Sequence, residues 1–466
     1  MMTMPISLKP YFDEIEETNG DDECREWLGK VFDAKLEMAT FVAARRGRGR
    51  VTEFVGFLKG SFNIAFRYRF DDDGPDAIIR LPKAGQTTTI LRDEKVANEV
   101  HMMQYLKERT TIPIPHIYGW GLTEECPREL GPFIIMDFVE GKLLSEILQK
   151  PTEDDQDLVI LDPDVDNSVL DKVYPQIADY LHQLSKLEFT GIGAISQDGN
   201  SGAWLVTRRP LTYNMNELAS VSGFPMDQFP ATPLSSTGEF LRWTAQQHLT
   251  HLWTQRNLAD DSDIAKARFV ARHRFSQLVE KFCAHDKGMT IPFCDDLRPA
   301  NMLVNPETLQ ITAVIDFEFT NAMPAQFTHD PPWWLLLAAP EHWLDRNAVE
   351  EFRALYEPRL EQFLKALENI ESQKEETQGC SQVDLLSVRM RDSWRTGQFW
   401  FDYAARKSFD VDTIYWNVLH LEEHGDGLNL LDPKTQAEMK LFIERKMEQL
   451  KQYKEECRAR FSGSAD

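Results

Sequence analysis

Between residues 23 and 44, apolar side chains recur at helical spacing (Trp27, Leu28, Val31, Phe32, Leu36, Phe41), which predicts one or two amphipathic helices. Three runs rich in Val, Ile, Phe and Tyr follow at 53–55, 62–70 and 76–81. They are divided by Gly60-Ser61 and Asp71-Asp72-Asp73-Gly74 and read as antiparallel strands. A helical stretch over 91–109 comes next, then strands at 117–122 and 133–138. From residue 142 helical periodicity dominates, as in Ile177, Ala178, Leu181 and Leu184. The polar stretches 153–166 and 371–382 read as surface loops, and 433–460 as one long amphipathic helix around Met439, Phe442, Ile443 and Leu450. The expected fold is α+β and bilobal. It has an N-terminal helical extension (1–50), a small β-rich lobe (51–140), a larger mainly helical lobe (141–432) and a C-terminal helix (433–466).

Chemistry concentrates late in the chain. Residues 293–305 read FCDDLRPANMLVN, and ITAVIDFEFT follows at 311–320. Asp296 and Asn301 have the D-x-x-x-x-N spacing of a kinase catalytic loop, and Asp316 ends an apolar strand fifteen residues further on. Phosphoryl transfer asks little covalent help of a protein. It needs metal ligands beside the phosphates and one carboxylate to position the acceptor oxygen. A hairpin between 302–304 and 311–315, turning at Asn305-Pro306-Glu307-Thr308, would bring these three side chains together. Any one of them alone reads as an ordinary capping or turn residue; the set in this order does not.

Three nucleotide-side elements have candidates. Gly60, Ser61 and Asn63 lie between two strands, where a glycine admits close backbone approach to phosphate. Ala77-Ile78-Ile79-Arg80 stands where a kinase has V-A-I-K, with Arg80 in the lysine's place and Lys83 as its rival. Glu99 is the expected partner of that cation and Glu94 the alternative, while Met136 and Phe138 flank the expected adenine-binding hinge.

These motifs resemble the aminoglycoside phosphotransferase and choline kinase superfamily, in particular its fungal phosphotransferase branch, over roughly residues 53–431. Its H-x-D-x-x-x-x-N and I-D-[WF]-E motifs fall on 294–301 and 315–318, with Cys294 in the histidine's place. Supporting similarity lies in FVEG at 138–141, PPWWLL at 331–336 and WRTGQFW at 394–400. The resemblance implies ATP and Mg2+ as cofactors, Asp296 as base or orienter with Arg298 near it, Asn301 and Asp316 as metal ligands, and a small-molecule hydroxyl as acceptor. A catalytically inactive kinase-like scaffold is the alternative, ahead of a protein kinase: Asp295 replaces the arginine of H-R-D, although Ala339-Pro340-Glu341 follows Asp316 at the interval of A-P-E.

Composition narrows the partners. A formal net charge of -24 disfavours nucleic acid and is compatible with a cationic small molecule. The basic stretch 45–50 reads as a solvated loop or strand edge rather than a nucleic-acid patch. Six scattered cysteines without a C-x-x-C pair, no basic-apolar leader and no long apolar run predict reduced thiols, no membrane span and a cytoplasmic location. Cys294 has no evident base beside it, and His248 and His251 lack the glutamate of a zinc-protease helix, so neither is assigned chemistry. The aromatics Trp333, Trp334, Trp343, Trp394, Trp400, Phe401, Tyr403 and Trp416, with Asp330, Glu341 and Asp402, are weighed as an amine cage against ordinary core; core is preferred.

Overall fold

The computed structural model describes residues 8–152, 158–283, 288–375 and 385–462. Parts of the two expected polar loops, 153–157 and 376–382, lie outside these residues, as do residues 1–7 of the chain start and Cys380.

Two helices, α1 (Glu14–Asp33) and α2 (Lys35–Arg46), precede the sheet. Asp13 caps α1 by accepting from Ile15 and Glu16 N–H, and Gly47 ends α2 in the left-handed conformation (φ 76°). Both helices bury apolar residues, Trp27, Val31, Met38 and Val42 among them, against one face of a five-stranded sheet. Its strands are β1 (Val51–Lys59), β2 (Asn63–Phe70), β3 (Ala77–Pro82), β4 (Ile117–Gly121) and β5 (Phe133–Asp137), in the order β1-β2-β3-β5-β4. Helix α3 (Arg92–Arg109) lies between β3 and β4 in the chain and joins the core on the sheet's other side through Val96, Val100 and Met103. The first strand is longer than 53–55. It is an edge strand whose register shifts twice, between Val51 and Glu53 and between Phe54 and Gly56, so its alternation is broken and the ends escape pattern reading.

The second half is helical around short sheets. Strand β6 (Lys142–Leu143) leads into α4 (Leu144–Leu148) and α5 (Asn167–Leu184). The hairpin β7 (Ala194–Gln197) and β8 (Trp204–Arg208) was not expected in this lobe; it packs on α3. Helices α6 (Tyr213–Val221), α7 (Thr237–Thr254) and α8 (Ser262–Phe282) precede β9 (Thr290–Phe293), β10 (Met302–Val304), β11 (Ile311–Val314) and β12 (Asn321–Pro324). Then come α9 (Ala325–Thr328), α10 (Glu341–Leu344), α11 (Val349–Glu375), α12 (Leu386–Thr396), α13 (Gln398–Ala405), α14 (Val411–Ile414) and α15 (Pro433–Phe461). The expected loop start at Glu371 is corrected: Glu371 is helical and 2% exposed. Its carboxylate accepts from Leu386 N–H at 2.6 Å and from the Ser387 hydroxyl, so it caps α12 instead of facing water.

The basic stretch is tied down locally. Arg46, its side chain fully buried, forks onto Asp72 at 2.7 and 2.9 Å, and Arg50 meets Asp71 at 3.0 Å, so the acidic β2–β3 turn neutralises it. Among the described residues, no helix is long and apolar enough to cross a membrane.

Candidate functional site

The chain between β9 and β10 forms a tight loop. Arg298 N–H bonds the Asp296 carbonyl at 2.9 Å, and Asn301 N–H bonds that of Arg298 at 2.8 Å. Asn301 Nδ2 donates to the Asp296 carbonyl at 2.9 Å and to Asp296 Oδ2 at 2.7 Å, while Arg298 Nε donates to Oδ1. The Asp296 carboxylate is thereby fixed between two side chains of its own loop. In the β10–β11 hairpin Met302 faces Val314, and Ile315 N–H bonds the Asn301 carbonyl at 2.9 Å, which sets Asp316 beside Asn301. Asp316 has φ 66°, a left-handed backbone that aspartate tolerates better than most residues.

On the sheet side, Arg80 of β3 bonds Glu99 of α3 and reaches Asp316 Oδ1 at 3.2 Å. The rival candidates point elsewhere: Glu94 pairs with Arg209 at 2.7 Å, and Lys83 is buried next to a separate hollow bordered by Asp21 and Cys24. Gly60 and Ser61 form the β1–β2 turn at the cleft. A Cβ at Gly60 would meet nothing nearer than 3.7 Å and its φ is not positive, so the free fold does not itself require glycine there. The Asn63 side chain is spoken for, donating to Glu318 at 2.8 Å and accepting from Lys95 at 3.1 Å. At the hinge, Phe138 N–H bonds the Asp76 carbonyl at 2.8 Å and Arg67 lies over the Phe138 ring, which leaves Met136 and Phe138 bordering the cleft without that N–H free.

Gly60, Arg80, Met136, Asp296, Asn301 and Asp316 thus border one cleft of about 790 Å3 between the sheet and the helical half, a size suited to a small-molecule site. Its electrostatics follow from crowded burial. Burial, then the neighbouring Glu318, raises the Asp316 carboxyl to about 8 despite Arg80. Asp296 is raised by burial against the opposing pull of Arg298 and Asn301. Burial disfavours the Arg80 charge, yet Glu99, Asp316 and Glu318 outweigh it and hold the guanidinium charged. Carboxylate oxygens of Glu99, Asp316 and Glu318 lie within 4.8 Å of one another, a concentration of negative charge that favours a cation.

Sequence reading missed two buried pairs. Lys95, one turn before Glu99 on α3, meets Glu318 at 2.5 Å, and only the i, i+4 relation to Glu99 hinted at it. Asp295 pairs with Arg406 just past α13, a partner more than a hundred residues away that carries no local signal. Most of the weighed aromatics are core: Trp334, Trp343, Trp400, Phe401 and Tyr403 are buried, whereas Trp333 borders the cleft. Asp402 is buried against Gln326 and Gln398, and Glu341 accepts from Tyr403 at 2.8 Å. Burial pushes the Cys294 thiol up, which keeps it protonated and inert. His248 and His251 are buried beside Arg272, which, after burial itself, disfavours their protonation.

The model of the phosphotransferase enzyme family matches residues 63–367. Among curated proteins, Clavilactone A biosynthesis cluster protein Y of Ampulloclitocybe clavipes is 25% identical over 274 residues, 57% of this chain and 60% of its own. Altered inheritance of mitochondria protein 9 of Zygosaccharomyces rouxii is 29% identical over 118 residues, 25% of this chain. The chain spans only 18% of that relative's length and 60% of the former's. Among solved structures, a thermostable aminoglycoside phosphotransferase mutant in complex with ADP and hygromycin B aligns at a TM-score of 0.41 and 14% identity, over 82% of this chain and 99% of its own. An ethanolamine kinase of Plasmodium vivax aligns at 0.39 and 14% identity, over 86% and 81%. With the family model spanning well over half its length and the motif residues gathered in one cleft, the chain belongs to the phosphotransferase enzyme family.

Proposed function

We propose that the protein transfers the γ-phosphoryl group of Mg-ATP to a hydroxyl of a small molecule, with Asp296 as the base that orients the acceptor and Asn301 and Asp316 as the magnesium ligands. The observation that carries this reading is the convergence of these three side chains with Arg80 on one cleft.

The residues fit the cofactor. Asn301 commits its Nδ2 to Asp296, which turns its Oδ1 away as an oxygen ligand, and Asp316 supplies a carboxylate; both are the hard donors magnesium takes. Arg80 now supplies positive charge at Asp316, the role a divalent ion would assume. When bound, Mg-ATP supplies the transferable phosphoryl group and the charge that stabilises its transfer.

The chain's own residues do the rest. Arg80, held by Glu99, offers its guanidinium to phosphate oxygens, and Gly60 and Ser61 leave room for phosphate against backbone. Arg298 and Asn301 fix the Asp296 carboxylate, which would accept a hydrogen bond from the acceptor hydroxyl and take its proton as that oxygen bonds to the γ-phosphorus and the bond from this phosphorus to the departing ADP breaks. Burial raises the proton affinity of Asp296, in the direction a base needs. A small molecule is favoured over a protein acceptor because 334–338 is buried and offers no platform for a peptide.

Asp296→Ala is expected to lower phosphoryl transfer about a thousandfold while leaving Mg-ATP affinity within about twofold. Residual turnover equal to the parent, measured with radiolabelled ATP, would reject the assignment of Asp296.

A further inference from the structure

Three aromatic rings meet across the cleft beside Asp316. Phe62 follows Gly60 and Ser61 in the β1–β2 turn on the sheet side, whereas Tyr213 opens α6 and Phe319 lies three residues beyond Asp316, both on the helical side. The ring centroids are 5.6 Å apart for Phe62 and Tyr213, 6.3 Å for Phe62 and Phe319, and 6.1 Å for Tyr213 and Phe319, and every contact is edge-to-face. Lys95 Nζ stands 5.9 Å from the Phe62 centroid and 5.3 Å from that of Phe319, so the cation paired with Glu318 also faces both rings. All three residues border the cleft, and each is half-buried rather than sealed in a core.

The two helical-side rings are fixed in place. Phe319 has φ 60°, a left-handed backbone that a bulky side chain adopts rarely and only where its surroundings impose it. Fully buried Asn321 imposes it. Its Nδ2 donates to the Phe319 carbonyl at 2.8 Å and to the Leu211 carbonyl at 2.9 Å, and its Oδ1 accepts from Leu211 N–H at 3.2 Å. One side chain thereby sets both the segment that carries Phe319 and the segment that leads into Tyr213. The Tyr213 hydroxyl donates to Glu217, one turn further along α6, at 3.1 Å. Burial first, then Glu217, with Asp296 contributing as well, raises the Tyr213 phenol, so this ring lies in the field of the catalytic-loop carboxylate. On the sheet side the Phe62 carbonyl accepts from Lys83 N–H at 2.8 Å, and the next residue, Asn63, bonds Glu318. A half-buried ring gains only part of what a core phenylalanine gains, so packing is a weak reason to hold Phe319 in this backbone. Strain of this kind collects where a site needs one group held in one place.

We infer that Phe62, seated on Tyr213 and Phe319, is a lid over the phosphate end of the cleft that keeps water from the phosphorus being transferred. The inference rests on the phosphotransferase reading and names what confines that reaction to its acceptor. Water is the rival nucleophile: its oxygen would bond to the γ-phosphorus, the bond from this phosphorus to ADP would break, and its proton would pass to Asp296, yielding inorganic phosphate. Phe62 adjoins Ser61 in the chain and Phe319 follows Asp316 closely, so the rings join the turn assigned to phosphate to the loop assigned to magnesium. An apolar closure there excludes water and strengthens the electrostatic interactions inside. None of the three rings makes or breaks a bond in the transfer; they are positioning residues.

The test uses the full chain and Mg-ATP without an acceptor. Phosphate release, Mg-ATP affinity by calorimetry, and hydrogen exchange of residues 58–66 in the free protein are measured. Phe62→Ala should raise phosphate release about tenfold, keep the Kd for Mg-ATP within about threefold and speed exchange in the turn. Phe62→Tyr keeps a ring and should release phosphate at the parental rate. Phe319→Gly removes a second ring and relieves the backbone, because glycine takes a positive φ freely. Its phosphate release should rise while its thermal midpoint stays at or above that of the parent, a combination that general loosening of the fold does not give. Adding Asp296→Ala to Phe62→Ala should abolish the extra release, which ties it to this cleft. Release that is unchanged or lowered in Phe62→Ala and Phe319→Gly, with Mg-ATP still bound, would overturn the lid and leave the phosphotransferase reading intact. Failure of the parent to bind Mg-ATP would overturn both. Should Phe62→Ala unfold, Phe319→Gly carries the same test.

Discussion

At the scale of single residues, Asp316 combines two constraints that a substitution can separate. Its backbone is left-handed at φ 66°, and its carboxyl is buried against Glu318 and Arg80. Asparagine tolerates the same backbone region but removes the charge, whereas valine strains the backbone by about 1–3 kcal/mol as well. Asp316→Asn should therefore keep a cooperative thermal transition near that of the parent and lose at least about tenfold in Mg-ATP affinity by calorimetry, while Asp316→Val should lose both. Loss of folding in Asp316→Asn would show that the carboxylate serves the fold before the ligand. Sequence exposed the identity of this residue through its place after an apolar strand. Its strained backbone and its neighbour Arg80 follow from the hairpin register and from β3, which lie far apart in the chain.

Among the elements, α8 and α15 each bury charge for structural ends. Arg268 and Arg272 of α8, both fully buried, converge on Asp412 of α14 at 2.6 and 2.8 Å, and together they hold that carboxyl below the usual range despite burial. Asp412→Asn strands two buried guanidinium groups and should cost about 3–5 kcal/mol in urea denaturation. Lys446 of α15 instead has a neutral partner, donating to the Gln255 carbonyl at 2.8 Å, and burial with Arg272 and Arg445 nearby lowers it to about 7 from 10.5. A lysine with a folded pKa below its unfolded value binds fewer protons in the fold. Between about 7 and 10.5 the unfolded chain holds the extra proton, so stability rises with pH across that window and is lowest below it. Lys446→Met should abolish this term: the denaturation midpoint of the parent should climb relative to the variant from pH 7 to pH 9.5. A constant difference between the two proteins would contradict the assignment. The helices themselves were legible, since amphipathic spacing and caps such as Asp432 on α15 are local signals; the bulged β1 and the β7–β8 hairpin, whose short strands lack sustained alternation, were not.

For the whole molecule, Lys95 with Glu318 spans the cleft as Arg80 with Asp316 does, from α3 on the sheet side and from the loop after β11 on the helical side. With side chains 1% and 7% exposed, its net contribution is decided by what remains when one partner leaves. Lys95→Met leaves Glu318 buried near Asp316 and Glu99, and should cost about 3–5 kcal/mol. Lys95→Met with Glu318→Leu should recover at least about 1 kcal/mol of that loss, giving a positive coupling in a double-mutant cycle. Strict additivity would mean that the pair does not couple the two halves.

Local pattern alone determined the order of helices and strands in the first half of the chain, the kinase-like loop spacing and the turn between β10 and β11, because period, turn chemistry and motif spacing are properties of neighbouring residues. The bilobal α+β architecture followed from that order. Only the tertiary structure decided which charges cancel. Arg80 joins Glu99 to Asp316, Lys95 meets Glu318, Arg406 neutralises Asp295, and the Gln247 amide is oriented by Asn214. Each of these joins segments distant in sequence, and burial, not composition, sets the strength of a charge.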